Sequence, residues 1–283
     1  MVYELYDNEP YLISFSGGRS SGYMLHNLLE ANNGLPGQAY VLFANTGKEM
    51  PETLDFVAEC AERWRVNIIW LEHCYGDDGK VSFRVVNRDT ASMNGEPFEE
   101  LIGKKHMLPN VVTRFCTEEL KINPMFRYMR SIGIKKKNLT DVIGIRYDEP
   151  RRVAKMRARN EVEKFETIAP LAEAKVDKYE VGSFWKAQPF DLKLDNNNGT
   201  TPLGNCDLCF LKGEKKISSI IRDHPYLAEW WFQQEDRIQK GCRDAGGNIE
   251  NASFIKRIPY RALPGANIDD LLNIEIECLG CTD

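Results

Sequence analysis

The stretch from Ile13 to Leu25 reads ISFSGGRSSGYML. A short apolar run ends in Ser-Gly-Gly, and Ser20 and Ser21 open the helix-like segment that follows. Glycines at the mouth of a strand let backbone N–H groups approach a ligand closely. Hydroxyls at a helix start donate beside its unpaired N–H groups and the positive end of its dipole. That chemistry suits an anion, phosphate above all. Ser16, Gly17, Gly18, Ser20 and Ser21 are therefore candidate phosphate contacts, with both glycines expected at positive φ and Arg19 adding charge. The spacing is not that of G-x-x-x-x-G-K-[ST], whose lysine is missing, nor of G-x-G-x-x-G, because these glycines are adjacent. A plain Gly- and Ser-rich turn from strand to helix is the alternative.

The second group with chemical potential is thiol. The chain has eight cysteines. Cys206 and Cys209 form one C-x-x-C, and Cys278 and Cys281 form another. Nothing in the sequence reads as a secretory leader, so clustered cysteines are expected to hold metal or do redox work rather than form disulfides. The two pairs together would suffice for a structural four-cysteine Zn2+ site, and either pair could be a redox dithiol. Cys60 falls at helical spacing with Phe56 and Val57 and reads as core, while Cys74 and Cys242 fit no pattern. The four histidines are scattered, and none is assigned a catalytic role.

These groups need a scaffold. Tyr11–Ser16, Gln38–Asn45, the stretch VNIIWLEH and Leu139–Arg146 read as strands, with helical stretches between them. Pro51 suits the first turn of a helix that gathers Leu54, Val57, Ala58 and Ala61 on one face. RFCTEELKINPMFRYMRSIG reads as a helix interrupted at Pro124. Strands alternating with helices imply right-handed crossovers and an α/β fold, a mainly parallel twisted sheet with helices on both faces. In such a sheet ligands bind beyond the carboxyl ends of the strands, where Ser16–Ser21 would lie. YDEPRRVAKMRAR reads as a charged loop or irregular helix, and DKYEVGSFWKAQPF and HPYLAEWWFQQEDR as helices. The expected division is a nucleotide-binding domain over 1–152 and a helical, cysteine-bearing subdomain over 153–283.

The segment SFSGGRSS resembles the pyrophosphate loop, S-G-G-x-[DST]-S, of the PP-loop ATP pyrophosphatases, nucleotide α-hydrolases that cleave ATP to AMP and pyrophosphate. VLFANTGKEMPETLDFV, TRFCTEELKINP and VIGIRYDEPRR resemble, in that order, three blocks of the phosphoadenosine phosphosulfate (PAPS) reductase family. The blocks cover roughly residues 11–152, about half of the chain. The resemblance implies an adenine nucleotide α-hydrolase-like fold whose serine loop holds the phosphates and whose Asn45, Thr46 and Gly47 border the adenosine. It implies cationic contacts from Arg114, Lys121 and Arg146, the catalytic candidates, and from Arg151 and Arg152; guanidinium forks suit phosphate or sulfate. It also implies a [4Fe–4S] cluster held by Cys116, Cys206, Cys209 and one of Cys281 and Cys278, with Zn2+ as the alternative. Two departures stand out. Arg19 occupies a position where many relatives carry lysine, and the chain ends ECLGCTD where the reductases end in an E-C-G-L-H-type tail.

The function expected from this resemblance is binding of ATP, with Mg2+, and its cleavage at the α-phosphate to activate a substrate for sulfur transfer. The alternatives are reduction of PAPS or APS, with Cys278 or Cys281 as nucleophile and a thioredoxin-like reductant, and a non-catalytic nucleotide-sensing module. The acceptor of the sulfur could be a small metabolite or a nucleic acid. A net charge of −5 argues against coating nucleic acid by bulk charge but leaves local basic patches, among which Lys135–Lys137 is a solvated turn or a polyanion contact. No apolar run approaches the ~18 residues that span a bilayer, and a cytoplasmic location is expected. Oligomeric state has no signature in the sequence.

Overall fold

The computed structural model describes residues 2–263 apart from 164, 198, 247, 248, 250 and 251. Cys278 and Cys281 lie outside the described residues. Six strands form one sheet in the order β4-β3-β2-β1-β5-β6. They are β1 (Tyr11–Ser14), β2 (Ala39–Asn45), β3 (Ile68–Tyr75), β4 (Val81–Val86), β5 (Thr140–Ile143) and β6 (Glu166–Ile168). All neighbours run parallel except β3 and β4, which form an antiparallel pair. The chain leaves β1 towards β2 and β3 on one side and returns to β5 and β6 on the other. The order therefore reverses between β1 and β5, which is where such sheets open a crevice.

Helices cover both faces, as expected. On one face α1 (Arg19–Ala31), α2 (Pro51–Trp64) and α7 (Lys178–Ala187) close over Ile13, Val41 and Phe43. The spacing of Met24, Leu25 and Leu28, and of Leu54, Val57 and Cys60, presents one apolar stripe per helix to the sheet. Pro51 sits in the first turn of α2, and Arg65 ends that helix in a left-handed conformation, φ 52°. Asp177 caps α7 by accepting from the backbone N–H groups of Tyr179 and Glu180. Trp185 of α7 is buried against Phe56, and its Nε1 donates to the carbonyl of Arg19 at 2.8 Å. A Cβ on Gly22 would meet Trp185 at 2.6 Å, so this third glycine admits α7 rather than a ligand. On the opposite face α4 (Asn123–Ser131) packs Met125 and Met129 on Leu12, Leu42 and Leu71.

A second core joins α3 (Glu96–Lys105) to the chain after residue 205. Phe98, Leu101 and Ile102 pack with Leu208, Phe210, Trp231, Phe254 and Tyr260, and with α8 (Glu214–Asp223) and α9 (Pro225–Asp244). Glu235 of α9 fastens the last described segment by accepting from the N–H groups of Phe254 and Tyr260, at 3.0 and 2.7 Å.

Several local expectations are corrected. The sheet does not end at residue 152, because β6 extends it beyond α5 (Pro150–Val162). The charged segment at 150–162 is a regular helix, started by Pro150 in its first turn. Before Pro124 the chain forms a π-helical turn, Thr117–Ile122, which runs directly into α4, so the proline opens a helix instead of breaking one. The sequence reading has no counterpart for β4 or α3. β4 is an edge strand with an exposed Val85, and α3 buries its stripe in a core built largely from residues beyond 205.

No helix among the described residues is long and apolar enough to cross a membrane.

Candidate functional site

A cavity of about 390 Å³ opens at the reversal point between β1 and β5. Its phosphate-suited wall is the loop between β1 and α1. The loop leaves β1 with Phe15 N–H bonded to Leu42 O at 2.9 Å, and turns at Gly17, φ +76°. A Cβ on Gly17 would lie 2.7 Å from Thr53 Cγ2, so both the conformation and the space require glycine. Gly18 has φ −100°, an ordinary extended value, so the expectation of two left-handed glycines is corrected to one. No side chain caps α1, which leaves its first N–H groups to a ligand.

The three serines divide the work. Ser21 Oγ donates to Gly18 O at 2.9 Å, accepts from Ser16 N at 3.2 Å, and lies 3.0 Å from Ser16 Oγ. This ring of bonds holds the loop shut on itself. Ser20 Oγ accepts from Arg146 at 2.8 Å, which leaves its own proton for the cavity. Arg146, 5% exposed, also bonds Asp148 at 2.9 Å, and its backbone N–H donates to Glu149. It stands behind the loop and orients Ser20; it does not line the cavity itself.

Arg19 also departs from its expected place. Its guanidinium grips Asp191 with two bonds of 2.8 and 3.0 Å, and it donates to Thr201 Oγ1 and to the carbonyls of Leu192 and Leu194. Each of its three nitrogens bonds to the segment 191–201, so Arg19 ties α1 to that segment. Arg19→Lys, which loses the fork, is expected to cost about 1–3 kcal/mol of stability while changing nucleotide affinity less than about threefold. Urea unfolding and a binding titration check this, and lost affinity at unchanged stability would return Arg19 to the phosphates.

The second wall is the turn after β2. Asn45 is fully buried, donating to Glu72 and to Ser92 O and accepting from Gly47 N at 3.1 Å. Gly47, φ +79°, would place a Cβ 3.0 Å from Pro97 Cδ and 3.1 Å from Gly95 Cα, a tight fit in a conformation that favours glycine. These two residues shape the turn, and Thr46 is the one that reaches the cavity. Thr46 donates through N–H and Oγ1 to Glu49 Oε2, at 2.8 and 2.7 Å. Lys48 and Asp207 form a buried ion pair at 2.9 Å that draws the segment 205–209 against this turn.

Cations line the third wall. Arg114 reaches the cavity with its Nε buried and without a hydrogen-bond partner. Lys121, on the π-helical turn, lies 3.3 Å from Glu49 Oε1. Arg152 contributes from α5 while paired with Glu149; Arg151, beside it, is exposed.

Cys116, Cys206 and Cys209 all border the same cavity. Among the described residues, however, no three His, Cys, Asp or Glu side chains converge as a metal site. Burial, with Glu49 beside it, pushes the Cys206 thiol up to about 12, and its Sγ lies 3.4 Å from Thr46 Oγ1. The described thiols thus share a wall without forming the four-sulfur set expected for a cluster or for Zn2+, and the tail pair falls outside the described residues. Cys60 is buried in the main core, as expected.

The floor was not anticipated. Ser14 of β1 donates to Asp141 of β5 at 2.8 Å, and Thr167 of β6, paired in register with Asp141, has a buried Oγ1 without a partner. Gly144, just past β5, would place a Cβ 3.0 Å from Ser21 Cα, so it lets β5 close on the first turn of α1. Polar residues inside otherwise apolar strands were the available signal for the floor.

Burial pushes the Asp141 carboxyl up to about 6, against the opposing pull of the Ser14 hydroxyl and of Arg159 and Lys136. A carboxyl raised in the folded chain stabilises fully below its unfolded value, near 3.8, and loses that contribution as pH rises through about 6. Asp141→Asn keeps an acceptor for Ser14. It is expected to leave stability unchanged near about pH 4 and to raise it by about 2 kcal/mol above about pH 7. Denaturant midpoints at the two pH values check this, and an equal effect at both would count against it.

The family profile described as "Phosphoadenosine phosphosulfate reductase domain" matches residues 10–190. The chain is also similar to the "Uncharacterized nin region protein ORF290" of Escherichia phage lambda, 31% identical over 222 residues that cover 76% of this chain and 71% of the phage protein.

Proposed function

The chain belongs to the phosphoadenosine phosphosulfate reductase domain family, and from that premise we propose that its cavity binds an adenine nucleotide by the phosphates and cleaves ATP at the α-phosphorus. The observation that carries this reading is the uncapped start of α1 opening, with Ser16, Ser20 and Ser21, into a cavity whose wall holds the unpartnered Arg114 Nε.

The chemistry follows from the residues. The N–H groups of α1 and the Ser20 proton hold the phosphates, and Arg146 keeps that proton pointed at them. A nucleophilic oxygen of the acceptor attacks the α-phosphorus. A bond to the acceptor forms, the bridging α–β oxygen bond breaks, and pyrophosphate departs with the bonding electron pair. Arg114 and Lys121 offset the charge that builds on the departing group. Magnesium enters with the nucleotide as part of the substrate. The adenylated acceptor then has AMP as leaving group, which a sulfur nucleophile displaces. No step is assigned to an iron–sulfur cluster or to Zn2+, because the described thiols do not converge on one point.

Sulfonucleotide reduction is the second reading, favoured by the family itself. In that reaction the resemblance to the reductases' Glu-Cys tail would make Cys278 or Cys281 the nucleophile. Incubation with ATP and, separately, with PAPS separates the readings. AMP and pyrophosphate from ATP support the proposal, and sulfite from PAPS supports the reductase. Tight binding with no product leaves nucleotide sensing.

A further inference from the structure

A second depression, about 540 Å³, lies between the π-helical turn, α4 and α5. It shares Arg114, Thr117, Ile122, Lys155 and Arg159 with the nucleotide cavity, so the two are contiguous. Its lining is basic, with Arg127, Arg130 and Lys136 added to the cations shared with the cavity. Arg127 and Arg130 stand one helical turn apart on α4, and Lys155 and Arg159 stand one turn apart on α5. The acids in this lining are Glu118 and Glu163, and Glu163 is already shared by Lys136 and Arg159, at 2.7 and 2.9 Å. Arg114, Arg127, Arg130 and Lys155 make no ion pair among the described residues. Arg127 has a buried NH1 without a hydrogen-bond partner, as Arg114 has a buried Nε. Buried guanidinium N–H groups left unpaired are costly, and an anion within reach removes that cost.

The charge is local, since the whole chain carries −5. It is also more than one mononucleotide needs, because the serine loop, Arg114 and Lys121 already serve the phosphates in the cavity. A run of cations leading into the cavity fits a chain of regularly spaced single negative charges, one unit of which enters the cavity. We propose that this groove binds single-stranded nucleic acid through its phosphodiesters and presents one nucleotide of the strand to the nucleotide cavity as the acceptor. Guanidinium groups dominate the unpaired cations, and their planar fork pairs bidentately with phosphate oxygens. The fork suits carboxylates equally, so continuity with the nucleotide cavity decides the occupant, and polyglutamate is the competitor in the test. A duplex cannot deliver a reacting atom into a cavity between β1 and β5 without extruding a nucleotide, which favours a single strand. The acceptor role rests on the ATP-cleavage reading, whereas strand binding does not.

The test is fluorescence anisotropy with a labelled single-stranded oligonucleotide, without ATP, across a salt series. The wild-type chain should bind, with affinity falling steeply as salt rises. The paired change Arg127→Glu with Arg130→Glu should weaken binding about tenfold or more and flatten the salt slope. Neither residue lines the nucleotide cavity, so mononucleotide binding should be retained, which also reports that the variant is folded. Arg130→Glu alone, at an exposed position, should give a smaller loss in the same direction. No oligonucleotide binding by the wild type, unchanged binding by the paired variant, or equal binding of duplex or polyglutamate would overturn the proposal. ATP cleavage is measured separately, so either reading can fail while the other stands.

Discussion

Gly17→Val is expected to destabilise the chain by about 3 kcal/mol or more and to remove detectable nucleotide binding. The backbone at this position has φ +76°, where an L side chain costs about 1–2 kcal/mol and a β-branched one more. Space adds to the cost. A Cβ would stand 2.7 Å from Thr53 Cγ2, 3.1 Å from Val57 Cγ2 and 3.2 Å from Phe43 Cε2, and crowding of a packed core costs about 1–3 kcal/mol. Either the loop or α2 must move, and the loop lacks the run of i→i−4 bonds that holds α2. Its N–H groups then leave the positions that face a phosphate. Gly18→Val is the control. With φ −100° its backbone accepts a side chain, so this variant should fold and lose nucleotide only through a clash with the ligand. Thermal unfolding and a nucleotide titration on both variants decide the matter. A Gly17→Val chain as stable as the wild type and binding ATP normally would remove the loop from the site.

Lys48→Met is expected to lower stability by about 3–5 kcal/mol, because it leaves the Asp207 carboxylate buried without its partner. The pair is closed to solvent on both sides, with side chains 8% and 4% exposed. Asp207 also accepts from Trp231 Nε1 at 2.8 Å and Leu208 N at 2.7 Å, and the Lys48 ammonium lies 5.2 Å from the Trp230 ring. Burial already pushes the Asp207 carboxyl upward, with Lys48 the largest opposing influence. Removing that influence drives the acid towards its neutral form or opens the segment to water. The consequence for the site is positional. The segment 205–209 carries Cys206 and Cys209, and it meets the turn after β2 through this pair and the Asp207 N–H to Lys48 O bond of 2.9 Å. Asp207→Asn should cost less, since its amide oxygen still accepts from Trp231. A urea midpoint for Lys48→Met within about 1 kcal/mol of the wild type would show the pair to be incidental.

Much of the nucleotide wall was legible because its geometry is local. A strand running into Gly-Gly and a serine-rich helix start dictates, within a few residues, where backbone N–H groups end and hydroxyls begin. The alternation of strands and helices likewise set the parallel sheet and the end of it at which a ligand sits. Local reasoning had less purchase on side chains whose partners are far along the chain. Arg19 looked like a phosphate contact, yet its partner Asp191 lies 172 positions away. Arg146 looked like a catalytic cation, yet it meets Ser20 across 126 positions and orients that residue. Asn45 and Gly47 looked like adenosine contacts, and both serve the shape of the turn that carries Thr46.

Sequence alone determined the anion-seeking loop, the class of sheet that carries it and the presence of thiols near a family block. Tertiary structure decided which glycine is indispensable, which arginines face the cavity and that Ser14, Asp141 and Thr167 make its floor. It also decided that Cys116, Cys206 and Cys209 share one wall of the cavity, and that α4 and α5 leave a basic groove beside the site. The physical reason is the range of the interactions. Backbone conformation and helix termini answer to neighbours in the chain, whereas burial and the pairing of charged side chains answer to whichever segments the fold brings together.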